Sequence, residues 1–117
     1  MALKINTIKK RSTFIFVKEK GRLVRSNNFN IQMLNDMNLQ DMVKVGYTAT
    51  KRLGNAVKRN KAKRLMRELT KKVLPKYGKI NFYYVLIAKN SILTTSFKEL
   101  KLELENIITW TWNLLEI

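Results

Sequence analysis

The chain of 117 residues carries 24 Lys and Arg but only eight Asp and Glu, a formal net charge of +16. So much positive charge on a small protein indicates nucleic acid or an anionic membrane as partner. No apolar run approaches the roughly 18 residues of a spanning helix, which disfavours the membrane. The N-terminus also lacks the apolar segment of a signal peptide.

The sequence contains no cysteine and no histidine. Zinc sites built on those residues, thiol nucleophiles and histidine bases are therefore excluded. The carboxylates form no convincing pair for acid–base catalysis and no cluster for a metal-dependent nuclease. We therefore predict no catalytic residue and assign no metal ligand on the protein. The absence of cysteine suits the reducing cytoplasm, where we expect this protein.

The N-terminal part predicts one short helix. Residues 1–11 are basic and read as loose, and Ser12 is a plausible N-cap for a helix that ends at Lys20. Phe14 and Val17 share one side of this helix, which predicts that they contact the core.

Two strands should follow an extended lead-in over residues 22–26. Residues 29–34 and 43–50 alternate between apolar and polar side chains, as strands with one buried face do. The second strand has a small, polar second face, which suits either a binding surface or plain exposure to solvent. That face contains Lys44, Gly46, Thr48 and Thr50.

The stretch from Lys51 to Lys72 holds ten of the 24 cationic residues. Asn55 follows a Leu-Gly break and can cap a helix at this point. At about 100° per residue, an apolar side separates from a cationic side. Such a helix repels itself, and a bound polyanion would relieve the repulsion. Opposite the apolar side lie Asn60, Lys63, Arg64, Arg67 and Lys71.

The C-terminal part predicts a buried strand and a last helix. Pro75 and Gly78 read as a loop, and residues 80–88 are apolar on both faces, as in a central strand. Ser96 and Glu99 form a capping box for the helix. Its inner stripe contains Phe97, Leu100, Leu104, Ile108, Thr111 and Leu115, whereas Trp110 projects nearly opposite. The whole chain, residues 1–117, then forms one α+β domain with a small, mainly antiparallel sheet and about three helices.

The run from Thr48 to Glu68, TATKRLGNAVKRNKAKRLMRE, resembles the protein subunit of bacterial ribonuclease P. That family carries a strand ending in a Lys-Lys or Lys-Arg step, then Gly-Asn-Ala-Val, then Arg-Asn-Arg on a basic helix. Residues 10–14 resemble the family's opening helix. Residues 87–89 and 95–100 resemble its closing strand and helix, so the likeness covers nearly the whole chain in order.

The resemblance implies a four-stranded sheet like that of the second domain of ribosomal protein S5, with a left-handed βαβ crossover around the basic helix. It also implies an RNA subunit that, with bound Mg²⁺, removes the 5′ leader of precursor tRNA. The protein would bind both the RNA subunit and the leader, with no protein partner and no membrane.

The resemblance further implies two RNA-binding surfaces. The surface for the catalytic RNA would contain Lys51, Arg52, Asn55, Arg59, Asn60, Lys61, Lys63, Arg64 and Arg67. Lys61 stands where relatives commonly have an Arg. The leader-binding cleft would contain Phe14, Lys18, Gln32, Thr48 and Thr50. Relatives often carry a second Phe and a Tyr where this chain has Lys18 and Gln32.

Two other functions fit the charge. The first is a structural, ribosomal-like RNA-binding protein without association to an enzyme. The second is a nucleoid-like DNA binder, which is disfavoured because the chain has neither a helix-turn-helix pattern nor an Arg arm for a minor groove.

Overall fold

The computed structural model describes the backbone of residues 3–115 and the side chains of residues 3–112. Its strands are β1 (Ile5–Thr7), β2 (Arg22–Val24), β3 (Phe29–Asn35), β4 (Val43–Thr48) and β5 (Phe82–Ala88). Its α-helices are α1 (Arg11–Lys20), α2 (Ala56–Tyr77) and α3 (Phe97–Leu115). Three short 3₁₀ helices span Met37–Leu39, Lys51–Leu53 and Asn90–Leu93.

All the described strands belong to one sheet, in the order β1-β4-β5-β3-β2. The β1–β4 and β4–β5 pairs are parallel, whereas β2–β3 and β3–β5 are antiparallel. The α+β class with three helices is confirmed. The sheet has five strands instead of the four expected, and parallel and antiparallel pairs are equal in number. The β4–α2–β5 connection is a βαβ crossover, and its left-handed sense stays a prediction.

Strand β1 lies in the segment that the sequence analysis took to be loose. Ile5 pairs with Val43, and the Ile8 N–H donates to the Val45 carbonyl over 2.8 Å. Three residues are too few to produce a periodic pattern in the sequence. The exposed edge of β4 therefore determines that this segment is extended, because its backbone groups need hydrogen-bond partners.

The central strand β5 is buried on both faces, as predicted. Phe82, Tyr84 and Leu86 belong to the larger core, which α2 and α3 cover. Val85 belongs to a smaller core with Ile8 and Val17 on the side of α1. Because side chains alternate along a strand, β5 contributes to one core on each face of the sheet. Helix α1 packs on one face, and α2 and α3 pack on the other.

The predicted start of α2 is confirmed and its predicted end is wrong. The Asn55 Oδ1 accepts from the Lys58 N–H over 3.0 Å and caps the first turn. The helix continues through Pro75 to Tyr77. Proline has no N–H, so the helix loses one backbone hydrogen bond, the one that residue 75 would donate to the carbonyl of Lys71. Burial of Leu74 then outweighs this local cost.

The other helix starts differ in how they are capped. Helix α1 begins one residue before Ser12, and its cap residue Lys10 makes no side-chain cap, so the predicted Ser12 cap is wrong. At α3, the Ser96 Oγ accepts from the Glu99 N–H over 3.2 Å, as the capping box requires. The predicted inner stripe is buried from Leu100 to Thr111, and Leu115 lies beyond the described side chains.

We expect Asn55→Ala to lower the free energy of unfolding by about 1 kcal/mol, because the first turn of α2 loses its cap. Urea unfolding followed by circular dichroism measures this change. Asn55→Asp is the matched control, since a carboxylate oxygen accepts the same N–H. Equal stability of the Ala and Asp variants would contradict the capping role.

Candidate nucleic-acid interface

Helix α2 presents a continuous cationic face. Its buried residues are Ala62, Met66, Leu69, Thr70, Val73 and Leu74. Exposed on the other side are Lys58, Lys61, Arg64, Arg67, Lys71 and Lys72. Within the described part of the chain, no ion pair involves a cation of this helix. The face is therefore available to a polyanion.

Packing, rather than charge pairing, stabilises this helix. Like charges four residues apart, such as Arg59 with Lys63, cost roughly 0.2–0.5 kcal/mol per pair. Each large apolar side chain that is fully buried gains about 1.5–3 kcal/mol. The apolar face contains Met66, Leu69 and Leu74, all buried against the sheet and α3. Burial therefore exceeds the repulsion, and the cations need no acidic partners for the helix to fold.

Two of the predicted RNA-binding residues also make contacts within the protein. Asn55 caps α2, and Arg59 is half-buried with its Nη1 donating to the Gly54 carbonyl over 3.0 Å. Gly54 adopts a φ of +132°, a conformation that side chains other than glycine's rarely adopt. The exposed Asn60, Lys61, Arg64 and Arg67 and half-buried Lys63 continue the face, and Lys51 and Arg52 lie in the preceding 3₁₀ helix.

All five residues predicted for the leader cleft line one open groove of about 470 Å³. The groove runs between α1 and the face of the sheet that α1 partly covers. Its other lining residues are Arg11, Ile15, Val85 and Ile87, which the sequence analysis did not single out. The alternation along β5 could have identified Val85 and Ile87, because odd-numbered residues of this strand face α1.

The packing of Phe14 on Gly46 holds α1 above one end of the groove. A Cβ added to Gly46 would lie 2.5 Å from the Phe14 Cε1 and 3.2 Å from the Ile8 Cδ1. No side chain therefore fits at this position unless the ring moves. This contact explains why the polar face of β4 has a glycine where Phe14 crosses it, and why Thr48 further along remains open.

The polar groups of the groove lack partners within the protein. Arg11, Lys18, Gln32, Thr48 and Thr50 make no side-chain hydrogen bond or ion pair with any residue that the structure describes. The far edge of the sheet differs, since Glu103 accepts from Ser26, Asn28 N–H and the Asn28 amide there. The groove thus offers cations, hydroxyls and an amide to a ligand, and no carboxylate lines it.

A second groove of about 610 Å³ joins the first, because Thr50 and Ile87 line both. It adds Asn30, Arg52, Leu53, Ala88, Lys89 and Asn90. The Lys89 Nζ donates to the Ser26 carbonyl, which fixes this side chain at the rim. Arg52 comes four residues before α2. The two grooves therefore lead from α1 to the beginning of the cationic helix.

Three tyrosines of the sheet have raised pKa values. Burial raises the pKa of Tyr84 to about 12, and its hydroxyl accepts from the Lys79 N–H. Burial also raises the pKa of Tyr47, whose hydroxyl lies 2.6 Å from the Thr70 Oγ1. For Tyr83, burial and then the Asp36 carboxylate raise the pKa. All three therefore stay neutral near pH 7, and none adds negative charge to the sheet.

Neither a metal cluster nor a membrane span occurs in the part of the chain that the structure describes. Over residues 3–112, no group of three or more Asp, Glu, Cys or His side chains is arranged to hold a metal ion. Over the same residues, no helix combines the length and apolar character needed to cross a bilayer.

Comparison with known proteins gives one consistent family. The family model described as Ribonuclease P matches residues 3–111. The chain belongs to the ribonuclease P family. It is 38% identical over 98 residues to the ribonuclease P protein component of Caulobacter vibrioides, covering 84% of this chain and 65% of that protein. It is 36% identical over 105 residues to the component of Shouchella clausii, covering 86% of this chain and 81% of that one.

The fold agrees with this assignment. The structure of the Staphylococcus aureus RNase P protein superposes with a TM-score of 0.76 at 28% identity, covering 90% of this chain and 94% of that one. The chain matches slightly less than two thirds of the Caulobacter protein's length. The family resemblance that the sequence motifs predicted is thereby confirmed, whereas the roles of individual residues remain predictions.

We expect Gly46→Ala to lower the free energy of unfolding by about 1–3 kcal/mol, because the new methyl group overlaps the Phe14 ring. Urea unfolding measures the cost in Gly46→Ala, Phe14→Ala and the double variant. The double variant should lose less than the two single costs combined, since removing the ring relieves the overlap. Additive costs would show that Phe14 does not pack as described.

Proposed function

We propose that this protein is the protein component of ribonuclease P. It binds the catalytic RNA subunit and the 5′ leader of precursor tRNA, and it promotes endonucleolytic removal of the leader to give the mature 5′ end. The RNA subunit carries out the catalysis. The proposal rests on one observation: the groove, lined with polar groups that have no partner among the described residues, leads to the cationic face of α2.

The cationic face of α2 supports binding to structured RNA. Lys61, Arg64 and Arg67 are exposed and have no acidic partner among the described residues. Contacts from such residues to phosphates release counterions, which gives affinity without any dependence on sequence. An RNA subunit that folds into helices presents phosphates in this way. The self-repulsion of the face is relieved when the RNA binds.

The groove beside α1 supports binding to a single strand. Phe14 and Ile87 give apolar surfaces for base faces, whereas Arg11 and Lys18 can neutralise phosphates. Proteins that bind single-stranded RNA combine these features. A leader that enters along α1 and follows the second groove ends beside α2, where the RNA subunit is proposed to bind. Substrate and catalytic RNA would then meet at the start of that helix.

Mg²⁺ is proposed to be held by the RNA subunit and the substrate phosphates. The grooves supply no carboxylate, and the described residues form no cluster suited to a metal. Mg²⁺ supplies charge stabilisation and an activated water when bound at an RNA site. The contribution of this protein is to hold the leader and to neutralise phosphates, so that less Mg²⁺ is needed. The complex is proposed to act in the cytoplasm, away from membranes and without a further protein partner.

The deciding experiment is cleavage of a precursor tRNA at low Mg²⁺ by the RNA subunit alone, the protein alone, and both together. We expect activity only in the mixture, or activity strongly raised in it, because the cationic side chains of the protein neutralise phosphates that Mg²⁺ would otherwise have to neutralise. Tight RNA binding with no effect on cleavage would instead indicate a structural, ribosomal-like RNA-binding protein.

We expect the logarithm of the affinity for the RNA subunit to fall with the logarithm of salt concentration at a slope of roughly −3.5 to −4.5, for about five neutralised phosphates. Lys61→Ala with Arg64→Ala should reduce the magnitude of that slope by about 1.4–1.8, because two contacts to phosphates are lost. Filter binding over a salt series measures both values.

The matched control for this pair is Arg25→Ala with Lys98→Ala. It removes the same charge from exposed positions on the β2 and α3 side of the protein. The control should leave the slope near that of the unaltered protein. Equal effects of the two double variants would indicate that net charge, and not the face of α2, determines RNA binding.

A further inference from the structure

Trp110 belongs to a second stripe of α3 that the core does not cover. Leu102, Asn106 and Trp110 follow one another at intervals of four residues, beside the inner stripe. Leu102 is 50% exposed and Trp110 is 58% exposed, whereas the inner residues Leu100 and Leu104 are buried. Large apolar side chains that gather on one exposed face, rather than being scattered singly, mark an interaction site.

Two adjoining pockets lie between this stripe and the edge strand β2, and together they form the edge groove. The first, of about 570 Å³, is lined by Leu23, Val24, Arg25, Asn106, Ile107 and Trp110. The second, of about 400 Å³, shares Asn106 and Ile107 and extends to Leu102 near the start of α3. Strand β2 pairs only with β3 among the described strands, so its outer edge is open as well.

The charges of the edge groove differ from those of the cationic helix. Helix α2 has one acid, Glu68, in 22 residues, whereas α3 has three in 19 residues, Glu99, Glu103 and Glu105. Arg25 is the one charged residue among those lining the first pocket, and the second is lined by Glu99 and Glu103 without a cation. Two carboxylates repel phosphates, which disfavours RNA as the occupant. A protein surface with the opposite order of charges is complementary to it.

A second copy of the same surface meets this requirement. In a pair with two-fold symmetry, the same patch of each copy contacts the other. A two-fold axis that passes near Asn106, perpendicular to α3, makes the two α3 helices antiparallel. It brings Leu102 of each copy toward Trp110 of the other, because these residues lie four positions on either side of Asn106. The acidic end of each edge groove then approaches the end that contains Arg25.

We propose that the edge groove is an interface through which two copies of this protein pair. The inference does not rest on the proposed function. In the sheet, β5 and β3 separate β2 from β4, the strand that precedes α2. The cationic face of each α2 therefore stays on the outer side of the pair, where it remains available to RNA.

The net charge predicts how pairing depends on salt. Each copy carries a formal charge of +16, which opposes pairing. Salt screens this repulsion, since the Debye length is about 8 Å at physiological ionic strength. Self-association should therefore strengthen as salt is added, whereas binding of RNA should weaken.

Sedimentation equilibrium of the full chain, over a range of protein and salt concentrations, tests the inference. The mass should rise from one copy to two and no further, because a two-fold interface is closed. Leu102→Ala with Trp110→Ala should weaken pairing by about 10-fold or more, as truncation of central interface residues does. The control, Met37→Ala with Ile80→Ala, also truncates two exposed apolar side chains and should leave pairing unchanged. Circular dichroism verifies that each variant is folded in each buffer.

The absence of cysteine allows a direct test of which residues meet. In Asn106→Cys each molecule has a single thiol, so mild oxidation can form a disulfide only between two copies. That disulfide should form readily, because the thiols lie near the axis. Lys98→Cys, exposed on another side of the same helix, is the control and should remain reduced.

Three outcomes would overturn the inference. The first is a single copy at every protein and salt concentration at which the chain is folded. The second is self-association that the Leu102 and Trp110 double variant does not weaken, or equal cross-linking of the two cysteine variants. The third is weaker RNA binding by that double variant with unchanged sedimentation, which would identify RNA as the occupant. Cleavage of precursor tRNA tests the proposed function separately, so either can fail while the other stands.

Discussion

The burial of β5 on both faces is the constraint on which the rest of the structure depends. Because its side chains alternate between two cores, helices must cover the sheet on both sides. Helices α2 and α3 pack on one side, over the larger core. Helix α1, with only ten residues, covers the other side in part. The uncovered remainder of that face is the groove proposed for the leader, so the site follows from an incomplete second layer.

The same arrangement separates the requirements of folding from those of binding. Helix α2 gains its stability from the burial of Met66, Leu69, Val73 and Leu74. The side chains of its outer face are therefore not needed to hold the helix on the core. That face can therefore carry like charges that a less buried helix would not tolerate. Arg59 is an exception, since its bond to the Gly54 carbonyl links the helix to the turn before it. A variant at this residue would change the local structure as well as the charge.

The polar groups of the groove differ from those elsewhere on the sheet in whether they have partners within the protein. On the far edge of the sheet, Glu103 and the loop residues from Ser26 to Asn28 satisfy one another and join β2 and β3 to α3. In the groove, Gln32, Thr48 and Thr50 have no such partners among the described residues. Because they face an open groove, these groups remain available to a ligand.

The sequence by itself determined the elements that have strong periodicity or a definite cap: β3, β4, the central strand β5, the start of α2 at Asn55 and the inner stripe of α3. The motif from Thr48 to Glu68 also determined the family. The tertiary structure decided the rest. Strand β1 forms because β4 offers an open edge, and α2 passes Pro75 because packing of Leu74 outweighs one lost hydrogen bond. The two grooves join residues from α1, three strands and two turns, which come together because α1 packs on the sheet through Phe14 on Gly46 and through Val17 against Val85. Local patterns report which face of an element is buried, but which elements meet depends on contacts between residues far apart in the chain.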